Sequence, residues 1–139
     1  MGEPATHPAR WSVVAASAAV LLAGCGRGGA EDQVALTVDR FQSALTAGDG
    51  PAACAELTAA TRSKLESDEQ APCRKAVLER DLRGGGRAGE GRVYLNAGTA
   101  SVPGRGTLFL DETKAGWRIN AAGCSPTEAD RPYDCELED

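Results

Sequence analysis

Thiols are the most distinctive reactive groups in this chain. Cysteines stand at positions 25, 54, 73, 124 and 135, against a single histidine, His7. His7 precedes an uncharged apolar run, residues 11–24, that ends at Cys25. The chain from Cys25 onward therefore contains no histidine. That removes Ser–His and Cys–His nucleophilic pairs and imidazole acid–base work, and with them the commonest metal ligand. Carboxylates, lysines, Tyr94 and Tyr133 remain. An Asp base with a Tyr donor in an apolar pocket supports isomerase-type proton transfer. Tyr94 alternates with Val93 and Leu95, so it faces the other side of a strand from them. No carboxylate can be placed beside it, and an exposed or edge tyrosine is the plainer reading. No catalytic residues are assigned, and the chain is read as a non-enzyme.

Three other groupings invite chemistry. Four cysteines could bind zinc, but zinc ligands come in close pairs, with two to four residues between them. Here 18 residues separate Cys54 from Cys73 and 10 separate Cys124 from Cys135. Arg83-Gly84-Gly85-Gly86-Arg87 has the glycines of a phosphate cradle, but lacks the Gly-Lys-Ser/Thr ending and follows a helix pattern. Its arginines, with Arg80 and Arg92, are candidates for contact with anionic lipid headgroups. The acidic tail residues Glu128, Asp130, Asp134, Glu136, Glu138 and Asp139 lack the spaced ligands of a calcium loop. No metal and no cofactor is expected.

The 139 residues suit one domain. Its core is modest, so covalent support is plausible. Net charge is −5, and removing residues 1–24 takes away one Arg and one Glu, leaving it unchanged. A mildly acidic domain lacks the basic surface that phosphate contacts require, so nucleic acid is not an expected partner.

The run 11–24 is shorter than the about 20 residues needed to span a bilayer. It suits the apolar core of a signal peptide with small residues before the cut. Leu22-Ala23-Gly24-Cys25 resembles a bacterial lipobox. That resemblance implies diacylglyceryl attachment at Cys25 and cleavage between Gly24 and Cys25. Two acyl chains give lasting attachment where one is marginal. The expected organisation is a signal peptide over 1–24, a flexible glycine-rich tether over 25–30 and a folded domain over 31–139. The expected location is the outer face of the cytoplasmic membrane, held through the lipid on Cys25.

Within the domain, Val34, Val38, Phe41 and Leu45 mark one face of a helix over 31–47, stopped at Gly48. Asp49 caps, and Pro51 opens, a second helix to about Ala60. Residues 61–70 are polar apart from Leu65 and read as a helical turn or loop. A third helix runs from Pro72 to about Arg83, with Cys73, Val77, Leu78 and Leu82 along it. Five glycines within 84–91 read as a mobile connection. The pattern then changes to period two, in four segments around Val93–Leu95, Ala100–Val102, Leu108–Leu110 and Trp117–Ile119. Glycine-bearing breaks fall at 96–98, 103–106 and 111–116. Helices first and strands after predict an α+β fold, about three helices packed on a four-stranded antiparallel meander, with Trp117 in the core.

With Cys25 set aside, the cysteine count is even, as expected of an exported, disulfide-bonded chain. Four cysteines allow three pairings. Cys54–Cys73 and Cys124–Cys135 is the expected set, tying the second helix to the third and pinning the tail to the last strand. Such short loops contribute about 2–4 kcal/mol each.

Phe41-Gln42-Ser43-Ala44-Leu45, Gly48-Asp49 and Ala53-Cys54, with Leu108-Phe109-Leu110, Gly116-Trp117-Arg118-Ile119, Ala121-Ala122-Gly123-Cys124 and Pro132-Tyr133-Asp134-Cys135, resemble small lipoproteins of high-GC Gram-positive bacteria. The helix-then-sheet order is similar to the nuclear transport factor 2-like superfamily, a cone of curved sheet wrapped on helices. The likeness implies fold rather than chemistry. It leaves three readings: a non-catalytic domain binding an envelope protein or small ligand, a cone-pocket isomerase or dehydratase for a small apolar substrate, and a structural or secretion-accessory lipoprotein.

Overall fold

The computed structural model describes Gly2 and residues 27–128 and 133–139. The proposed signal segment apart from Gly2, and Cys25 itself, lie outside the described residues. Among the described residues, four helices precede the sheet: α1 (Arg27–Ala47), α2 (Gly50–Ala55), α3 (Ala59–Glu69) and α4 (Cys73–Glu79). The strands are β1 (Arg92–Tyr94), β2 (Ala97–Val102), β3 (Gly106–Thr113), β4 (Gly116–Pro126), β5 (Tyr133–Asp134) and β6 (Leu137–Glu138). The fold is α+β, as expected. Every pairing between these strands is antiparallel, in the order β1-β2-β3-β4-β5, with β6 also on β4.

α1 fills the hollow of the curled sheet. Val34, Val38 and Phe41 are fully buried, against Leu108, Leu110, Trp117 and Ile119 from the strands. The helix begins at Arg27, so residues 27–30 are helical rather than tether. The reason is register: Ala30 lies four residues before Val34 and packs against the same core, extending the stripe by a turn.

Burial along β4 changes parity, from Trp117 and Ile119 to Ala122 and Cys124. The β3–β4 register shifts between Thr107 and Leu110. An irregularity of this kind inserts a residue, bends the strand and flips the alternation, which curls the sheet around α1.

The middle of the chain differs from the expectation. α2 ends at Ala55, because the backbone of 56–58 leaves the helix to join β4. Ile119 N donates to Glu56 O (2.8 Å) and Thr58 N to Ile119 O (2.9 Å). Residues 59–69, read as a turn or loop, form the helix α3. Thr58 caps it, its hydroxyl accepting from Thr61 N at 3.1 Å. Thr61 and Leu65, one turn apart, are its buried side. α4 stops at Glu79 rather than near Arg83.

The glycine-rich connection is not a free loop. It is strapped along α1, running antiparallel to it. Gly85 N donates to Gln42 O (3.3 Å), Ala88 N to Asp39 Oδ1 (2.7 Å) and Gly89 N to Ser101 O (2.8 Å). A Cβ at Gly84 would lie 2.5 Å from Thr46 N, and one at Gly91 would overlap the Glu31 carbonyl. These glycines serve close approach, not mobility.

The first hairpin turns at Leu95-Asn96, one residue earlier than the 96–98 break, and Gly98 sits inside β2. There it makes room for Val34 and Trp117, which a Cβ would meet at 2.7 and 3.1 Å. Leu95 consequently faces solvent. The tail adds β5 and β6 to β4, with Tyr133 edge-on to Phe109 at 4.9 Å, so it is held by pairing and packing as well as by Cys135.

Candidate functional site

The cysteines form the expected bonds, Cys54–Cys73 and Cys124–Cys135. All four sulfurs are consumed, so none is left as a thiolate ligand for zinc. The first bond joins α2 to α4. The second ties the end of β4 to the tail. Cleavage residue Gly24 and lipidation residue Cys25 lie outside the described residues.

The other sequence candidates are dispersed. Tyr94 is 81% exposed on the first hairpin, with no hydrogen bond from its hydroxyl among the described residues. The arginines do not gather. Arg80 is paired with Asp68 (3.5 Å) and lies 2.8 Å from Glu69, although its Nε–H is not aligned to donate there. Arg87 lies 4.0 Å from Asp39, and Arg92 is exposed on β1.

A small pocket of about 370 Å³ opens beside the C-terminal half of α1, against the β2–β3 turn. Gln42 of α1, Arg105 of the turn, Asp81 and Arg83 after α4, and Glu136 of the tail line it, with Ser125 of β4. Gln42 is only 4% exposed, and its Oε1 has no hydrogen-bond partner. The Nε of Arg105 is likewise buried and without a partner. Among the described residues, Asp81, Arg83, Arg105 and Glu136 make no ion pair. Buried polar atoms are almost always satisfied, so two unsatisfied ones in a single pocket call for an occupant, water or ligand.

Sequence reasoning missed this pocket. One signal was present: Gln42 lies four residues after Val38, on the apolar stripe, where a polar side chain is out of place. Nothing local marks Arg105, which the β2–β3 turn carries to the same place.

A wider, shallower groove of about 970 Å³ runs along the outer side of α1 toward α2 and the strap. Leu36, 54% exposed, and Ala44, Ala47 and Ala52 form its apolar part. Arg40 and Glu56 close one side with paired bonds, Nε to Oε1 at 2.8 Å and Nη2 to Oε2 at 2.9 Å. The hydrogen bond to Glu56 holds the Arg40 guanidinium above its ordinary pKa. The interior of the cone, by contrast, is occupied by Phe41, Leu108, Leu110 and Ile119, all buried to within 1%.

Comparisons with protein-family models, with curated proteins and with solved structures found no match to this chain.

Proposed function

We propose that this chain is a lipid-anchored extracytoplasmic domain that works by binding, not catalysis, and holds a small polar ligand at the cell envelope. The apolar run ending in Leu22-Ala23-Gly24-Cys25 supports the anchor. The two disulfides support an oxidising compartment. The filled cone counts against the isomerase-like reading, which needs a cavity where Phe41 sits.

One observation carries the binding reading: the unsatisfied Gln42 acceptor and Arg105 donor in one pocket. With two arginines and two carboxylates on its rim, the pocket matches a small zwitterion, such as a free amino acid or a peptide end. Its volume, about 370 Å³, lies at the small end of the ~300–1,000 Å³ range of ligand sites. Calorimetry of the acylated protein with amino acids, and with their N-acetyl and amide derivatives, tests this. The zwitterions are expected to bind, each blocked form more weakly, and Gln42→Leu and Arg105→Met to abolish the heat. No heat from any member of the panel overturns it.

The groove favours a second reading, in which an apolar segment of an envelope protein lies along α1 over Leu36. Under that reading Leu36→Asp abolishes capture of the partner from membranes and Arg105→Met leaves it intact.

A further inference from the structure

Four large apolar side chains are exposed among the described residues: Leu36, Leu78, Tyr94 and Leu95. Tyr94 and Leu95 are adjacent and the most exposed, at 81% and 83%, and they form the tip of the β1–β2 hairpin. Leu95 also has φ +56°. Two-residue hairpin turns place Gly, Asn or Asp in that conformation, which costs a larger side chain energy. Leu95 is thus strained and solvated at once. Neither stability nor solubility accounts for a leucine there, and strained residues of this kind gather at functional sites.

The tip lies at a particular end of the molecule. From Gly84, beside Leu45 and Thr46, the chain passes Asp39 at Ala88 and reaches Glu31 at Gly91. It is therefore travelling toward the N-terminus of α1. Gly98 of β2, the partner of Val93, rests on Val34. The three residues from there to Leu95 cover about 10 Å, and the helix from Val34 back to Arg27 covers about the same. The hairpin tip comes level with the start of α1. The β3–β4 turn, Lys114-Ala115, is at the same end, since Ala97 pairs with Asp111 and Glu112 N donates to Asn96 O (2.8 Å).

Only one residue, Gly26, stands between Cys25 and Arg27, a reach of at most about 7 Å. Because α1 begins so early, an acylated Cys25 leaves the domain little slack. With Cys25 acylated, the end that carries the helix start would face the bilayer.

We infer that the Tyr94-Leu95 tip is a membrane-contact element that inserts into the lipid interface beside the acyl chains and fixes the domain's orientation. This rests on the reading of Cys25 as lipidated. Tyrosine and leucine suit that depth, with an apolar body below and a hydroxyl at the headgroups. Lys114 reaches the headgroups alongside. Glu112 is exposed at the same end, so attraction to anionic lipid is not the driving term and contact persists at high salt.

The chain has three lysines, Lys64 on α3, Lys75 on α4 and Lys114 on the β3–β4 turn, which makes amine labelling a footprint. The full acylated protein on phosphatidylcholine/phosphatidylglycerol vesicles is compared with the Cys25→Ser chain in buffer. Lys114 labelling is expected to slow severalfold on vesicles, in low and high salt, with Lys64 and Lys75 unchanged. Leu95→Gly is expected to restore the Lys114 rate on vesicles while raising the Tm of the free chain. A Lys114 rate on vesicles equal to that of the free chain, in protein whose acylation mass spectrometry has verified, overturns the inference and leaves the anchor standing. Protection that depends on protein density overturns it in favour of a second copy. Absence of the acyl group overturns both readings together.

Discussion

Gly91 packs its α-carbon against the carbonyl of Glu31, and Gly84 rests on the backbone of Leu45 and Thr46. Adding one methyl at Gly91 pushes the strap off α1. Gly91→Ala is expected to destabilise the domain by about 1–3 kcal/mol in urea unfolding, as overpacking does. Gly104, at a turn with φ +71° and open space around it, faces only the backbone strain. Its alanine variant is expected to lose about 1 kcal/mol. Gln42 is the opposite case. Its buried carbonyl has no partner from the protein and relies on an occupant of the pocket, water or ligand. Gln42→Leu is therefore expected to leave the unfolding free energy within about 1 kcal/mol of its original value while removing ligand binding, which points to a role other than stability.

Among the elements, α3 has little apolar surface and depends on its ends. The Thr58 hydroxyl caps Thr61 N and meets the Thr61 hydroxyl at 2.7 Å, and Thr61 in turn donates to Asn120 O at 3.2 Å. Thr58→Ala is expected to cost about 1–2 kcal/mol, read from thermal or urea unfolding. α4 has no side-chain cap of its own, and Glu66 Oε1 accepts from Cys73 N at 2.8 Å instead. The disulfide then locks α4 to α2 across 19 positions, worth about 3 kcal/mol by loop closure. α3 also carries one exposed carboxylate with a shifted titration. Asp68 is held below its ordinary 3.8, first by the hydrogen bond from Lys64 and then by the charges of Lys64 and Arg80. A depressed carboxylate stabilises the fold above 3.8 and loses that contribution as pH falls through its lower folded value. Asp68 is exposed, so the contribution is small, and Asp68→Asn is expected to flatten a small part of the decline in urea midpoint as pH falls below 3.8.

The whole molecule has two unlike ends. The turns at Leu95-Asn96 and Lys114-Ala115 share one end with the start of α1, and the 103–105 turn with the Gln42–Arg105 pocket lies at the other. The six residues of β2 separate the two ends by roughly 20 Å. A domain standing on its first hairpin therefore holds the pocket away from the lipid. The expected outcome is equal ligand affinity on vesicles and for the Cys25→Ser chain in buffer, measured by calorimetry. A loss of affinity on vesicles would place the pocket against the membrane.

Much of this architecture is legible in the sequence. The stripe Val34, Val38, Phe41 and Leu45 and the alternation through Leu108, Leu110, Trp117 and Ile119 are local patterns, and local periodicity determines which face is buried. Of the three pairings that the four cysteines allow, the expected one is the one that forms. Tertiary structure decided the rest. Residues 56–58 left their helix because β4 offered their backbone partners. A polar segment became α3 because Thr58, Thr61 and Leu65 found a wall to rest on. The glycines of 84–91 read as slack in one dimension and proved to be points of closest contact in three. The pocket and the strained hairpin tip depend on side chains brought together across many tens of residues, and no local pattern encodes such a distance.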